Sequence, residues 1–173
     1  METLLSPIDR LSRLAESAAV ALIFGYCGLM LVEVAARSQA QSLSFTWEFS
    51  QYAMAAIFAL AAGPAMRTGV HVRITLVTER LPGVARKWLD VSANAVALAI
   101  VALIVAAMWT KVATSFERNI LATSVTKTPL WIPQALVLWG MIQLWLDLLA
   151  RALRRATGRA PEFRGADAEP DDV

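Results

Sequence analysis

Four long apolar stretches constrain this chain more than any other feature of its sequence. They cover about residues 17–36, 49–66, 89–109 and 130–150, and a helix needs about 20 apolar residues to cross the hydrocarbon core of a bilayer. Backbone groups in lipid must be satisfied internally, and these runs are continuous where the strands of a barrel would alternate. The sequence therefore predicts an all-α integral membrane protein with four transmembrane helices.

The composition and charge of the chain agree with a bilayer as its main solvent. Of its 173 residues, 57% are hydrophobic and 17% are charged, whereas soluble domains carry about 25% charged residues. The net charge of +2 arises from basic residues that flank the apolar runs, which predicts contacts with phospholipids and no binding of nucleic acid. Residues 1–156 are expected to form one transmembrane domain, and residues 157–173 a disordered cytoplasmic tail.

The distribution of lysine and arginine predicts the orientation of the spans, because these residues collect in short cytoplasmic loops. Twelve of the sixteen lie before the first span, between the second and third spans or after the fourth, and four lie in the two other connections. Both termini are thus predicted to be in the cytoplasm of a bacterial inner membrane, and the two other connections in the periplasm. Four tryptophans near span ends agree, since indole rings favour the interface: Trp47, Trp88, Trp109 and Trp131.

The amino-terminal segment allows more than one interpretation. Residues 1–13 mix apolar and polar side chains and are suited to a short helix on the cytoplasmic membrane surface. Arg10 and Arg13 before the first span, with Ser38 and Ala40 after it, also resemble a cleaved signal peptide. The apolar run is longer than the roughly 7–15 residues of a signal sequence, so we expect the first span to be retained.

The connection between the third and fourth spans is long enough to have structure of its own. It runs from Thr110 to Pro129 and contains apolar residues, which predicts that the third helix continues beyond the membrane. Pro129 and Pro133 then mark the start of the fourth helix, because proline is tolerated in a first helical turn.

Charged residues within the apolar runs lie near the ends of those runs. Glu33 precedes Arg37 by four residues, so both share one helix face, and the pair either reaches the aqueous interface or marks an ion site. Asp147 and Arg151 repeat this spacing in the fourth span. No carboxylate falls in the middle of a predicted span, where a coupling-ion site would be expected, which argues against a transport pathway inside the chain.

The residues that usually carry catalysis or bind cofactors are scarce in this sequence. The single cysteine, Cys27, excludes an internal disulfide or a cysteine metal site, and the single histidine, His71, excludes a bis-histidine haem within one chain. No phosphate-binding loop, Ser-His-Asp set or zinc-ligand spacing is present in the sequence. We therefore predict no catalytic, metal-binding, cofactor-binding or substrate-binding residue, and no enzyme.

The segment around the second span has the most distinctive pattern. Trp47 and Glu48 open the span, where a carboxylate complements the positive end of the helix dipole, and Gly63 lies near its other end. Gly69, just after the span, permits a bend of the chain. Basic residues here can bind lipid phosphates or carboxylates of a partner: Arg67, His71 and Arg73.

In this order and on this topology, these motifs resemble the small permease subunit of tripartite ATP-independent periplasmic (TRAP) transporters over about residues 15–155. The resemblance rests on the Trp47-Glu48 entry, on Gly63 followed by Arg67-x-Gly69-x-His71-Val72, on Pro129-Leu130-Trp131-Ile132-Pro133 and on Gly140. Gln51 and Arg73 depart from the family pattern, which often has acidic residues at both positions.

The resemblance implies a non-catalytic subunit of a heteromeric complex. Its expected partners are a large membrane permease subunit, which holds the substrate and sodium, and a periplasmic substrate-binding protein, which delivers an organic acid such as a carboxylate. No cofactor is expected in this chain. Seven residues are predicted to contact the large subunit or lipid: Trp47, Glu48, Gly63, Arg67, Gly69, His71 and Arg73. Four are predicted to border the periplasmic docking surface: Lys111, Arg118, Lys127 and Trp131.

Two other functions compete with this interpretation. A membrane anchor of a redox enzyme commonly holds haem through histidines on its spans, and only His71, at a span end, is available. A small transporter or channel that works alone would normally show repeat symmetry or a central polar site. The sequence shows neither feature, so both alternatives rank below the transporter subunit.

Overall fold

The computed structural model describes residues 2–41, 43–67, 83–124 and 126–156. Within these ranges the chain forms helices α1 (Glu2–Ser38), α2 (Thr46–Arg67), α3 (Gly83–Glu117) and α4 (Trp131–Ala156). Each helix contains a segment long and apolar enough to cross a membrane: Arg10–Ser38, Thr46–Met66, Val91–Glu117 and Trp131–Leu153. The predicted all-α membrane fold and its four spans are confirmed.

Two helices extend well beyond the predicted spans. α1 runs without interruption over 37 residues, so the structure differs from the prediction of a separate surface helix over residues 1–13. Residues 8–16 contain no glycine or proline that would break the helix. α3 continues to Glu117, which confirms that the third helix extends past the predicted span end at residue 109.

The fourth helix is the centre of the bundle. α4 packs against each of the three other helices, and α1 also packs against α2, whereas α3 has its extensive contacts with α4 alone. Ala15, Ala19 and Leu60 form the buried apolar cluster of the α1–α2–α4 core, and Trp139 of α4 packs on it. α3 is therefore an outer helix, attached to one side of this core.

The α2 and α4 helices approach one another at backbone distance. A Cβ atom added to Gly140 would lie 2.5 Å from the carbonyl carbon of Ala59 and 2.7 Å from the amide nitrogen of Leu60. Small residues allow such close packing of membrane helices. Ala59 and Gly63, one turn apart on α2, both face α4.

Large apolar side chains lie mostly on the outside of the bundle. Phe24, Leu31, Phe58 and Leu103 are each more than 70% exposed in the isolated chain, while the buried interior consists largely of alanine, leucine and a few polar residues. Such an outer surface suits contact with lipid tails or with a second membrane protein.

Candidate functional site

The most structured polar region of the bundle lies where α1 joins α2 and α3 joins α4. We call this the loop end; it comprises the turn of residues 39–45, the loop of residues 118–130 and the first turns of α2. The opposite end, with the start of α1 and the last turns of α4, is called the terminal end. The charge distribution predicts that the loop end faces the periplasm.

A buried carboxylate joins α1 to α2 at the loop end. Glu33, which is 5% exposed, accepts a hydrogen bond from Arg37 Nε at 2.7 Å and another from Thr46 Oγ1 at 2.9 Å. The backbone amide of Leu43 also donates to Glu33, at 3.2 Å. The predicted Glu33–Arg37 pair is thus confirmed, and the same carboxylate fixes the turn and the first residue of α2.

Both helices that end at the loop end do so with a left-handed residue. Ala40 has φ of 57°, and the amide of Gln41 donates to the carbonyl of Ala36 at 3.1 Å. Asn119 has φ of 46°, and the amide of Ile120 donates to the carbonyl of Ser115 at 3.0 Å. This bonding pattern satisfies the last carbonyls of a helix and usually employs glycine.

A second carboxylate fastens the 118–130 loop to α2. Glu48, which is 8% exposed, accepts hydrogen bonds from the hydroxyl of Tyr52 at 2.8 Å and from Thr126 Oγ1. Thr128 Oγ1 donates to Thr126 Oγ1 at 3.2 Å, and Ser124 Oγ lies 3.1 Å from the same oxygen. Three hydroxyls of the loop are therefore gathered around one side chain of α2, an arrangement we call the Glu48 clasp.

The 118–130 loop also has internal hydrogen bonds that hold its two halves together. The amide of Ala122 donates to Thr128 at 2.9 Å and the amide of Leu130 to Ile120 at 3.1 Å, while Leu121 and Pro129 form an isolated antiparallel bridge. With the Glu48 clasp, these bonds give the loop a defined shape.

Basic and aromatic side chains are displayed on this structured loop end. Lys111, Arg118 and Lys127 are exposed, and Lys127 has φ of 47°. Trp131 packs edge-on against Phe116, with ring centroids 5.6 Å apart. The structure therefore brings the predicted docking residues to the end of the bundle that carries both short connections.

The predicted interface residue Trp47 projects from the loop end. Its side chain is 77% exposed, although Thr46 before it and Glu48 after it are both buried. Their neighbours Phe45 and Phe49 form an edge-to-face pair with centroids 6.0 Å apart. Trp47 is thus an exposed aromatic side chain on a rigidly held turn.

A smaller polar cluster lies at the terminal end. Asp147 accepts hydrogen bonds from Gln143 Nε2 at 3.1 Å and from Ser12 Oγ at 3.3 Å. A Cβ atom on Gly63 would lie 2.5 Å from Asp147 Oδ2, so glycine leaves room for this carboxylate. α1, α2 and α4 meet at this point.

The structure locates some of the predicted interface residues and not others. Glu48 and Gly63 are buried in contacts within the chain. The Glu48 carboxylate and the space left by Gly63 therefore serve the packing of the chain itself. The side chain of Arg67 lies outside the described residues, as do Gly69, His71 and Arg73, and their predicted contacts stay predictions.

Sequence reasoning did not identify the partners of Glu48 and Asp147. Thr126 and Ser12 are ordinary polar residues in the sequence, and they lie 78 and 135 residues from the carboxylates they bind. Gln143 was also missed, although it lies only four residues from Asp147 on the same helix. The Thr-x-Thr pattern at residues 126–128, in a loop facing the Glu48 end of α2, was the available signal for the clasp.

The polar side chains at both ends of the bundle are engaged mainly in contacts within the chain. Among the described residues there is no group of three histidine, cysteine or acidic side chains able to hold a metal ion. The buried carboxylates are occupied by hydroxyl, amide and guanidinium donors of the chain itself. The fold and the site define a multi-pass helical membrane protein whose buried carboxylates bind groups of its own chain.

Comparison with known families identifies this class more closely. The family described as "Tripartite ATP-independent periplasmic transporters, DctQ component" matches residues 10–158. The chain belongs to this family, and it is therefore the small membrane component of a TRAP transporter and not an enzyme. The comparison with curated proteins finds no match.

Proposed function

We propose that the chain supports the large sodium- and substrate-carrying subunit of a TRAP-type secondary transporter. The transported solute is an organic acid of the carboxylate class, delivered by a periplasmic binding protein. The family match over residues 10–158 carries this proposal, because members of the family work with a large permease subunit and a periplasmic binding protein. The buried described carboxylates, Glu33, Glu48 and Asp147, lie near the ends of the predicted spans. This favours a supporting role for the chain, since a coupling-ion site is expected deeper in the membrane.

The proposed orientation places the loop end in the periplasm and both termini in the cytoplasm of a bacterial inner membrane. Its support is the excess of arginine and lysine at the terminal end and in the connection between α2 and α3. A reporter that works only in the periplasm should be active when it is fused after Lys127 and inactive when it is fused after Arg159. A reporter that works only in the cytoplasm should give the reverse result. The opposite pattern would refute this orientation.

The loop end is the proposed docking surface for the binding protein. It displays Lys111, Arg118 and Lys127 on a framework that the Glu48 clasp holds in shape. A surface fixed before binding loses little conformational entropy on association, and basic residues at its rim attract an acidic partner and mainly raise the association rate.

Co-purification tests the proposed complex. The tagged chain is extracted from membranes in a mild detergent, and the proteins that accompany it are identified by mass spectrometry. We expect a multi-span permease subunit in roughly stoichiometric amount. Recovery with a haem-containing enzyme would favour the redox-anchor alternative, and transport by the chain alone in liposomes would favour the stand-alone transporter.

Charge reversal tests the docking surface separately from assembly. Arg118→Glu with Lys127→Glu should slow association of the binding protein about tenfold at low salt and less at high salt. Arg159→Glu with Arg164→Glu, in the predicted cytoplasmic tail, is the matched control. If the loop-end variant assembles normally and transports at the wild-type rate, the docking proposal is wrong while the subunit proposal stands.

A further inference from the structure

An open groove lies on the outer face of α1, at its cytoplasmic end in the proposed orientation. The groove has a volume of about 330 Å³ and is lined by Arg10, Arg13, Leu14 and Ser17. These residues are spaced three and four apart, so they share one helix face.

The groove carries the two positive charges of Arg10 and Arg13, and Glu16 lies three residues after Arg13 on the same helix. Neither arginine forms an ion pair with a described residue, whereas Arg37 pairs with Glu33. The Ser17 hydroxyl donates to the carbonyl of Arg13 at 2.9 Å, so the two guanidiniums are the groups available to an anion. Arginine matches phosphate oxygens with two parallel hydrogen bonds.

The same helix face continues into the membrane as a shallow channel of small residues. Ala21, Gly25 and Gly28 are exposed, and a Cβ atom added to either glycine would meet nothing within 4 Å. Packing within the chain therefore does not require glycine at these positions, although glycine costs a helix about 1 kcal/mol relative to alanine. Phe24 and Leu31, 73% and 71% exposed, border the channel on one side.

The length of this channel corresponds to one leaflet of a bilayer. Ser17 and Gly28 are eleven residues apart, which is about 16 Å along a helix and about half of a hydrocarbon core of roughly 30 Å. A phosphate held at Arg10 and Arg13 would therefore place an attached acyl chain over the small residues. A free phosphate or a soluble acid would leave this apolar part of the channel uncovered.

We propose that the α1 groove is a binding site for one anionic phospholipid. The phosphate is held between the guanidiniums of Arg10 and Arg13, and an acyl chain lies against α1 over Ala21 and Gly28. Charge complementarity selects the headgroup, and the glycines allow the chain to lie close to the helix backbone. The site is separate from the loop end and does not depend on which solute is transported.

Native mass spectrometry of the full-length chain, titrated in mild detergent with phosphatidylglycerol or phosphatidylcholine, tests the proposal. We expect one tightly bound phosphatidylglycerol and at least tenfold weaker binding of phosphatidylcholine. Arg10→Gln with Arg13→Gln should weaken the binding of phosphatidylglycerol about tenfold or more, since each basic residue near an anionic surface adds about 1 kcal/mol. The control Lys111→Gln with Arg118→Gln, which removes two cations at the loop end, should leave it unchanged.

A second pair of variants tests the channel without altering charge. Gly28→Leu fills the channel and should weaken phosphatidylglycerol binding severalfold, whereas Ala99→Leu on the exposed face of α3 should not. Because leucine is a strong helix former, both variants are expected to fold, and circular dichroism is used to check their helix content. Equal binding of the two lipids would overturn the proposal. So would a variant of the groove, with either the arginines or Gly28 changed, that binds phosphatidylglycerol as well as its control does.

Two further outcomes identify a different occupant and also overturn the lipid assignment. Displacement of phosphatidylglycerol by millimolar inorganic phosphate would show that the guanidiniums bind a free anion. Loss of the large subunit from the Gly28→Leu protein, with lipid binding intact, would show that this face of α1 is a protein interface.

Discussion

The loop end and the α2–α4 crossing are both tightly organised, but by different forces. At the loop end, Glu33 and Glu48 each collect several hydrogen-bond donors from neighbouring segments. At the crossing, Gly140 brings the backbone of α4 into contact with the backbone of Ala59 and Leu60 in α2. The first arrangement positions connections and the second positions helices.

This difference indicates which substitutions should affect the fold and which should affect docking. Close packing at backbone distance cannot relax around a larger side chain without separating the helices. Hydrogen bonds of a loop to a helix can break locally while the bundle persists. We therefore expect the crossing to control folding of the subunit and the loop end to control the shape of its predicted periplasmic surface.

The largest expected effect is that of Gly140→Leu at the crossing. Its side chain would collide with the backbone of Ala59 and Leu60, which should lower the free energy of unfolding by about 3 kcal/mol. Denaturant titration in mixed micelles measures this change. Gly25→Ala, where a Cβ atom meets open space, is the control and should be neutral or slightly stabilising. Equal stability of the two variants would contradict the backbone contact.

A smaller loss of stability is expected when Glu33, the carboxylate that joins α1 to α2, is removed. Glu33→Ala leaves the amide of Leu43 and the hydroxyl of Thr46 without their acceptor, which should cost about 2 kcal/mol. Glu16→Ala removes an exposed carboxylate from the same helix and should change stability little. The same titration compares them, and the prediction fails if Glu33→Ala is no worse than its control.

Opening the Glu48 clasp should affect the loop more than the bundle. Glu48→Gln replaces a charged acceptor by a neutral one, and we expect a loss of about 1 kcal/mol with faster amide exchange at Ala122 and Leu130. Thr126→Val should act alike, and the double variant should show less than the sum of the two effects.

The exposed Glu117, changed to glutamine, is the control for the clasp. This variant keeps the loop intact and removes the same charge at the same end of the bundle. If it accelerates exchange in the loop as much as Glu48→Gln does, the effect is one of charge and not of the clasp.

The smallest expected effect is a gain in stability at the end of α1. Ala40 adopts φ of 57°, a conformation that disfavours residues with a Cβ atom. Ala40→Gly should therefore stabilise the protein by about 0.5 kcal/mol after the greater flexibility of the unfolded chain is deducted. Ala35→Gly, in the helical part of α1, should instead destabilise it by about 1 kcal/mol. Opposite signs in thermal denaturation support the cap, and equal signs contradict it.

The fold was predictable because membrane insertion depends on sums of hydropathy along single segments. The four spans followed from such runs, and Pro133 and the apolar residues after Thr110 correctly indicated the start of α4 and the extension of α3. The continuity of α1 was missed because a mixed segment such as residues 1–13 can either lie on a membrane or prolong a helix, and its composition does not distinguish the two.

The sequence by itself determined the class of the protein, its spans and the positions of its carboxylates near the ends of those spans. Only the tertiary structure decided that Glu48 binds Thr126, 78 residues away, and that Asp147 binds Ser12, 135 residues away. Hydropathy is a property of each segment, whereas a hydrogen bond between two segments depends on the crossing and rotation of both helices. The crossing and rotation of these helices are set by the contacts of Gly140 and Gly63 with neighbouring helices. Such contacts join two segments and therefore cannot be read from either segment alone.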